Sequence, residues 1–210
     1  MSFHLPPLYP ILDTSFLPAF ERGAYLVRVL CELEEAGVTL LQYRNKHSEA
    51  DIPHDAKVMR IGATRALRLI MNDSPELAVQ LDFDGVHVGQ TDASPAEARR
   101  IVGSDRIVGV STHTRAQLEA ADKMPVDYIA FGPVFATASK LNPDPVVGLE
   151  GLREARSLTK KPLVAIGGIT LENAGSVLDA GADSVAVISA MFGPGKDPAQ
   201  IAKEFLRISG

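Results

Sequence analysis

The chain contains one cysteine and no tryptophan among 210 residues. A single cysteine excludes an intrachain disulfide and a metal site built from several cysteines. No stretch approaches the unbroken apolar length of a membrane span. The first seven residues lack the basic region and apolar core of a signal peptide. These absences predict a cytoplasmic protein with no membrane partner.

Positive charge is also scarce, since 21 Lys and Arg residues face 26 Asp and Glu residues, for a net charge of −5. Without a basic run, this balance argues against a nucleic-acid partner. An anionic substrate would therefore need local cations at strand–loop junctions. The hydrophobic fraction of 46% is enough for a sizeable core. The length fits one domain at the small end of the (β/α)₈ range.

Eight short apolar runs alternate with segments of helical character. Parallel strands joined by right-handed helical crossovers have this pattern, and eight such units close into a barrel. The predicted strands are 8–13, 38–41, 69–71, 85–88, 107–110, 128–131, 163–166 and 184–188. We expect residues 1–210 to form a single (β/α)₈ TIM barrel domain, an α/β fold with its active site at the C-terminal strand ends. A doubly wound open sheet is the alternative.

The first predicted helix has apolar residues at helical spacing, and Gly37 lies where it would stop. These residues are Phe20, Ala24, Val27 and Cys31. On this interpretation they form the buried face of the helix. Cys31 is then a small core residue and not a nucleophile.

Glycines and small residues follow the last two predicted strands. Gly167 and Gly168 follow the seventh strand, and Ser189 follows the eighth. Glycine lets backbone N–H groups approach an anion, and a helix N-terminus beyond the eighth strand would add more donors. Phosphate sites of (β/α)₈ barrels occupy this position. The pattern predicts an enzyme that binds a phosphorylated small molecule.

Polar residues also end the second, third and fourth predicted strands. Gln42, Arg44 and Lys46 are two residues apart, so they can face one diphosphate, although a solvated loop is the alternative. Asp73 and Asp92 follow neighbouring strands, as the oxygen ligands of Mg²⁺ would. For either aspartate alone, a loop turn or a helix cap is an equally good interpretation.

Two histidines lie near these junctions. His87 is within the fourth predicted strand and is best explained as a hydrogen-bonded structural residue, while His113 follows the fifth strand. His4, His47 and His54 are expected at the surface. In the sixth loop, hydroxyl groups precede Lys140, a combination that suits a phosphate oxygen. A Schiff-base role for Lys140 is disfavoured because the residue lies far from a strand.

Taken together, these junctions resemble the thiamine phosphate synthase family from the first strand to Met191. The resemblance rests on separated motifs that agree in order: Gln42-Tyr43-Arg44-Asn45-Lys46, Met71-Asn72-Asp73, residues 84–92, residues 109–114, Phe131-Gly132-Pro133-Val134-Phe135 leading into Thr137-Ala138-Ser139-Lys140, Ile166-Gly167-Gly168-Ile169 and Ile188-Ser189.

The resemblance implies a transferase of thiamine biosynthesis. Such an enzyme joins 4-amino-2-methyl-5-hydroxymethylpyrimidine diphosphate to 4-methyl-5-(2-phosphooxyethyl)thiazole, or its carboxylated form, giving thiamine phosphate and diphosphate. Diphosphate departure is assisted by Mg²⁺, and the thiazole nitrogen traps a pyrimidine-methyl cation. The implied partners are small phosphorylated substrates, and a homodimer is a further expectation.

The resemblance also assigns roles to individual residues. Lys140, Arg44 and Ser111 would be catalytic, and Asp73 and Asp92 would hold the Mg²⁺. The pyrimidine diphosphate would contact Gln42, Tyr43, Arg44, Asn45, Lys46, Asn72, Ser111 and Lys140. The thiazole phosphate would contact Thr137, Ala138, Ser139, Gly168, Ile188 and Ser189.

Three residues depart from the family pattern. Ser139 replaces a threonine, Ala136 a frequent proline, and Ser74 a frequent arginine. By comparison with the family pattern, the last change would remove one diphosphate contact. Two alternatives stay open: a thiazole tautomerase of the same superfamily, which would use His113, and a non-catalytic binder of thiamine precursors.

Overall fold

The computed structural model describes residues 3–137 and 144–208. In this part of the chain, eight parallel strands close into a barrel in sequence order, and helices surround it. The strands are β1 Leu8–Asp13, β2 Leu40–Arg44, β3 Arg68–Asn72, β4 Gly85–Val88, β5 Ile107–Thr112, β6 Tyr128–Phe131, β7 Leu163–Ile166 and β8 Ser184–Val187. The helices are α1 Arg22–Glu35, α2 Ile52–Gly62, α3 Pro75–Gln80, α4 Pro95–Val102, α5 Arg115–Asp122, α6 Gly148–Leu158, α7 Leu171–Asp179 and α8 Pro198–Ile208.

The (β/α)₈ barrel expected from the sequence is therefore confirmed. The first strand closes the ring, because Ile11 is paired with Gln42 on β2 while Tyr9 is paired with Ala186 on β8. The strict order from β1 to β8 excludes the doubly wound sheet, in which the strand order reverses.

Two buried layers follow from the alternation of side chains along each strand. Side chains on the inner face fill the barrel, among them Tyr9, Leu40, Ile70 and Tyr128. Those on the outer face pack against the helices in a larger cluster. The barrel is thus filled in its lower part, and a cavity remains at the C-terminal ends of the strands.

The prediction for the buried face of α1 is wrong. Phe20 is 87% exposed and Val27 is 38% exposed, and Cys31 is also exposed. The buried face consists instead of Leu26, Val29, Leu30 and Leu33. Both sets have helical spacing, and the leucine-rich set buries more apolar area, so it faces the barrel.

Strand ends also differ from the predicted ones in a way that matters for the site. β2 extends through Arg44 and β5 through Thr112, so Gln42, Arg44 and Ser111 are strand residues. α2 begins at Ile52 after a one-turn 3₁₀ helix and has proline in its first turn, where proline is tolerated. Among the described residues, none of the helices combines the length and apolar character that crossing a bilayer requires.

Candidate active site

A cavity of about 430 Å³ opens at the C-terminal ends of the strands. The structure brings most of the sequence-predicted site residues to its wall. These are Gln42, Arg44, Lys46, Asn72, Asp73, Asp92, Ser111, Thr137, Gly168, Ile188 and Ser189. The predicted residues Ala138, Ser139 and Lys140 lie outside the described part of the chain.

Two predicted site residues do not reach the cavity. Tyr43 is fully buried on the outer face of β2, where its hydroxyl donates to Asp55 at 2.7 Å. The Asn45 amide donates to the Ser48 carbonyl at 2.8 Å and its oxygen accepts from the Ser48 N–H, so it closes a loop turn. Their assignment as ligand contacts is therefore corrected, because strand alternation points only every second residue at the cavity.

Each cation at the end of β2 is held by a carboxylate. Arg44 forms an ion pair with Asp13, a buried residue at the end of β1, and Lys46 forms one with Asp73. Burial raises the pKa of Asp13, but hydrogen bonds from Ser15 and the charge of Arg44 outweigh it and lower the pKa below the usual value. Sequence reasoning missed Asp13, whose signal was its place at the end of a predicted strand.

The two predicted metal ligands approach each other from β3 and β4. Burial raises the pKa of Asp92, and the nearby Asp73 carboxyl raises it further. The Asp92 carboxylate also accepts the Gly89 N–H at 2.7 Å. Asp73 has a left-handed backbone with φ 69°, a conformation that aspartate tolerates better than most residues, and its N–H bonds to the His87 carbonyl at 2.8 Å.

Both histidines near the junctions line the cavity. His87 is buried and hydrogen-bonded to Tyr128 and Ser111, which confirms its structural interpretation. Its burial lowers its pKa to about 4. His113 Nδ1 donates to the Gly132 carbonyl at 2.7 Å, and its Nε2 lies 3.5 Å from Asp144. His113 therefore connects β5 to the loop after β6.

The glycines after β7 have a packing role that the sequence did not indicate. A Cβ on Gly167 would lie 2.4 Å from Pro133, and one on Gly168 would lie 2.4 Å from the Ala136 carbonyl oxygen. Both residues also have positive φ, 102° and 64°. Glycine is required here so that the loop after β6 can lie directly against the end of β7.

The helix beyond β8, whose N-terminus would add donors for a phosphate, does not begin until Pro198. The chain forms a turn instead, in which the Met191 and Phe192 N–H groups bond to the Ile188 carbonyl at 3.1 and 3.0 Å. Glycines with positive φ at 193 and 195 then keep the chain out of a helix until α8. Lys196, which sequence reasoning missed, binds the Ser189 and Ala190 carbonyls and so stabilises this turn.

Known proteins resemble this chain over nearly its full length. Residues 8–191 match the family profile described as thiamine monophosphate synthase. The chain belongs to the thiamine monophosphate synthase family. A thiamine-phosphate synthase from Koribacter versatilis is 53% identical over 205 residues, 97% of this chain and 96% of the relative. One from Agrobacterium fabrum is 44% identical and covers 74% of each chain.

A solved structure supports the same family. The thiamine phosphate pyrophosphorylase from Pyrococcus furiosus superposes with a TM-score of 0.82 at 32% identity, covering 96% of this chain and 94% of the other. Thiamine monophosphate synthase family membership thus agrees with both the barrel and the cavity at its C-terminal end.

Proposed function

We propose that the protein joins hydroxymethylpyrimidine diphosphate to thiazole phosphate and releases diphosphate. The bond between the pyrimidine methylene carbon and the diphosphate oxygen breaks, and its electron pair leaves with the diphosphate. The thiazole nitrogen supplies the pair for the new carbon–nitrogen bond. One observation carries the proposal: a single cavity joins the cations and carboxylates of β2 to β4 to the glycine-lined end of β7 and β8.

Residues of β2 and β3 bind the pyrimidine diphosphate in this proposal. Arg44 and Lys46 neutralise charge that grows on the departing diphosphate, which is electrostatic stabilisation of the transition state. Both cations are already positioned by carboxylates, so little rearrangement accompanies the reaction. Gln42 and Asn72 contribute amide groups at the same wall, and Ser111 contacts the pyrimidine from β5.

Charge in the cavity supports a Mg²⁺ ion as cofactor. Described cavity residues include the carboxylates of Asp73, Asp92 and Asp144 but only the cations Arg44 and Lys46, so a diphosphate requires further positive charge. No three metal-binding side chains cluster in the described residues. The carboxyls of Asp73 and Asp92 are close enough for Asp73 to raise the pKa of Asp92, and such a pair fits Mg²⁺, which is often held by two carboxylates, waters and substrate phosphate oxygens. When bound, Mg²⁺ stabilises negative charge on the leaving diphosphate.

The opposite wall of the cavity receives the thiazole phosphate in this proposal. Gly168, Ile188, Ser189 and Thr137 line this wall. In the proposal, the backbone N–H groups of the first three residues and the side chain of Thr137 contact the phosphate. The thiazole nitrogen is thereby held in line with the carbon from which diphosphate departs. Proximity of this kind accounts for much of the rate enhancement, and no protein nucleophile is required.

The direct test uses purified protein with both substrates, with and without Mg²⁺. We expect thiamine phosphate and diphosphate to form in equal amounts only when both substrates and Mg²⁺ are present. Interconversion of thiazole tautomers without Mg²⁺ would instead support a tautomerase, and binding without turnover a non-catalytic role. The His113 contacts favour the synthase, because both ring nitrogens face partners within the protein. The homodimer and the cytoplasmic location stay predictions.

A further inference from the structure

Five polar side chains form one hydrogen-bond chain across the inside of the barrel. Gln42 Nε2 donates to the Tyr9 hydroxyl at 2.9 Å, and the Tyr9 and Tyr128 hydroxyls are 2.8 Å apart. Tyr128 is 2.9 Å from His87 Nδ1, and His87 Nε2 is 2.8 Å from Ser111 Oγ. The chain therefore connects two cavity residues, Gln42 and Ser111, that lie on β2 and β5.

The middle of this chain is enclosed. Tyr9 is 1% exposed, Tyr128 is 0% exposed and His87 is 7% exposed. The Tyr9 and Tyr128 rings pack edge to face at 5.7 Å, and the His87 ring stacks on Tyr128 at 5.6 Å. Gly109 makes room for them, since a Cβ there would lie 2.0 Å from Tyr128 Cζ.

Burial determines which group donates in each hydrogen bond of this chain, because leaving a buried donor unpaired costs free energy. The Tyr9 hydroxyl accepts from Gln42, so its own hydrogen must go to Tyr128. The Tyr128 hydrogen then goes to His87 Nδ1, which acts as an acceptor. A neutral imidazole carries its single hydrogen on the other nitrogen. His87 Nε2 thus donates to Ser111 Oγ, and Ser111 keeps its own hydrogen for the cavity.

We propose that Tyr9, Tyr128 and His87 are positioning residues that hold Ser111 as a hydrogen-bond donor to a ring nitrogen of the pyrimidine substrate. This inference rests on the proposed function for the identity of the ligand. The same hydrogen-bond chain uses one side-chain N–H of Gln42. The side-chain carbonyl oxygen and the second N–H of Gln42 are left to contact the pyrimidine ring. The substrate class that fits is an aminopyrimidine, which has acceptor nitrogens and a donor amino group.

The direction of the chain can be measured without turnover. In nitrogen-15 NMR of histidine-labelled protein at neutral pH, the imidazole signal that vanishes in His87→Gln should be that of a neutral ring with its hydrogen on Nε2 alone. A His87 ring protonated on Nδ1, or on both nitrogens, would overturn the proposal. If the protein proves to have no synthase activity, the proposed function fails, yet this measurement still decides the direction of the chain.

Kinetics then test whether the tyrosines act through Ser111. Tyr128→Phe and Ser111→Ala should each lower kcat/KM for the pyrimidine diphosphate about tenfold, the usual effect of one lost hydrogen bond. The KM for thiazole phosphate should not change. The double variant should lose no more than Ser111→Ala alone, because the two residues act as one unit. Additive losses, or an unchanged kcat/KM in Tyr128→Phe, would refute the positioning role.

Tyr25→Phe provides the matched control, since Tyr25 is a half-buried tyrosine on α1, outside the barrel. It should leave both kinetic constants unchanged. A loss equal to that of Tyr128→Phe would mean that the kinetic effect does not arise from the hydrogen-bond chain.

Discussion

Arg44 and Asp13 form an ion pair between directly paired positions of β2 and β1. The carboxylate is buried and the guanidinium is mostly buried, so the cation that we propose for diphosphate binding depends on a residue of a different strand. This dependence can be tested by mutation.

We expect Asp13→Asn to lower the free energy of unfolding by about 1–3 kcal/mol, because a charge-assisted hydrogen bond is lost. It should also raise the KM for the pyrimidine diphosphate, since Arg44 is no longer held at the cavity wall. Urea unfolding and steady-state kinetics measure the two effects. Glu119→Gln, which removes an exposed ion pair with Arg115 on α5, is the control and should change neither.

Gly109→Ala should destabilise the barrel by about 1–3 kcal/mol, as overpacked core substitutions do. The added methyl group meets the Tyr128 ring, which has no free space to enter. Gly175→Ala is the matched control: on α7 its Cβ would lie 3.7 Å from Ile208, so the helix should gain about 0.5–1 kcal/mol. Thermal unfolding measures both changes in stability. If Gly109→Ala stabilised the protein as Gly175→Ala does, the Tyr128 ring could not occupy the space above Gly109.

His87 makes stability depend on pH. Burial lowers its pKa from 6.5 to about 4, so the unfolded chain binds a proton that the folded chain does not. The contribution of the neutral His87 ring to the free energy of unfolding is complete above about pH 6.5. As the pH falls towards 4, the free energy of unfolding decreases by on the order of 3 kcal/mol. Urea unfolding at pH 7.5 and pH 5 should show a smaller decrease in His87→Gln than in the original protein. An equal decrease in the two proteins would mean that the proton binds to a residue other than His87.

Asp92→Ala should reduce turnover more than about a hundredfold while the fold stays intact, because a ligand of the proposed Mg²⁺ is lost. Without added metal the variant should be about as stable as the original protein, since the lost hydrogen bond from Gly89 is offset by removal of the repulsion from Asp73. Activity as a function of Mg²⁺ concentration, together with thermal unfolding, measures this. Asp179→Asn, at the exposed end of α7, is the control. Near-normal turnover in Asp92→Ala would exclude Asp92 as a metal ligand.

His113→Ala should reduce turnover less than tenfold. The variant loses a link between β5 and the loop after β6, which is worth about one hydrogen bond. Steady-state assays with both substrates check this expectation. Complete loss of activity would instead indicate that the imidazole itself reacts, as expected of the tautomerase.

The fold was largely predictable from local patterns. The bounds of β1, β4, β6 and β7 agree with the predicted runs, because each is a short apolar segment with clear breakers on both sides. β2 and β5 were predicted too short, since their last residues are polar and hydropathy alone ends a strand there. Three of those residues, Gln42, Arg44 and Ser111, face the cavity, so the error falls on candidate site positions.

The face of α1 could not be resolved from spacing, because two apolar sets fit a helical period and only packing against the barrel selects between them. The predicted site residues were found from their junctions, and alternation then separates Arg44, which reaches the cavity, from Tyr43, which does not. Asp13 had a signal in its place at the end of a predicted strand, but its ion pair and the hydrogen bonds of Tyr128 could not be predicted, because their partners are distant in sequence. An ion pair or a hydrogen bond between strands leaves no local pattern.

The buried tyrosines have a further consequence for the size of the substrate. Gln42 and His87 line the cavity and rest on Tyr9 and Tyr128, which lie deeper in the barrel. The depth available to a ring is therefore fixed by two aromatic side chains that never meet it. A shorter residue at either position would deepen the cavity and admit pyrimidines with bulkier substituents. With the pyrimidine bound at Gln42 and Ser111, as we propose, selectivity for ring size and selectivity for hydrogen-bond pattern would arise from the same pair of residues.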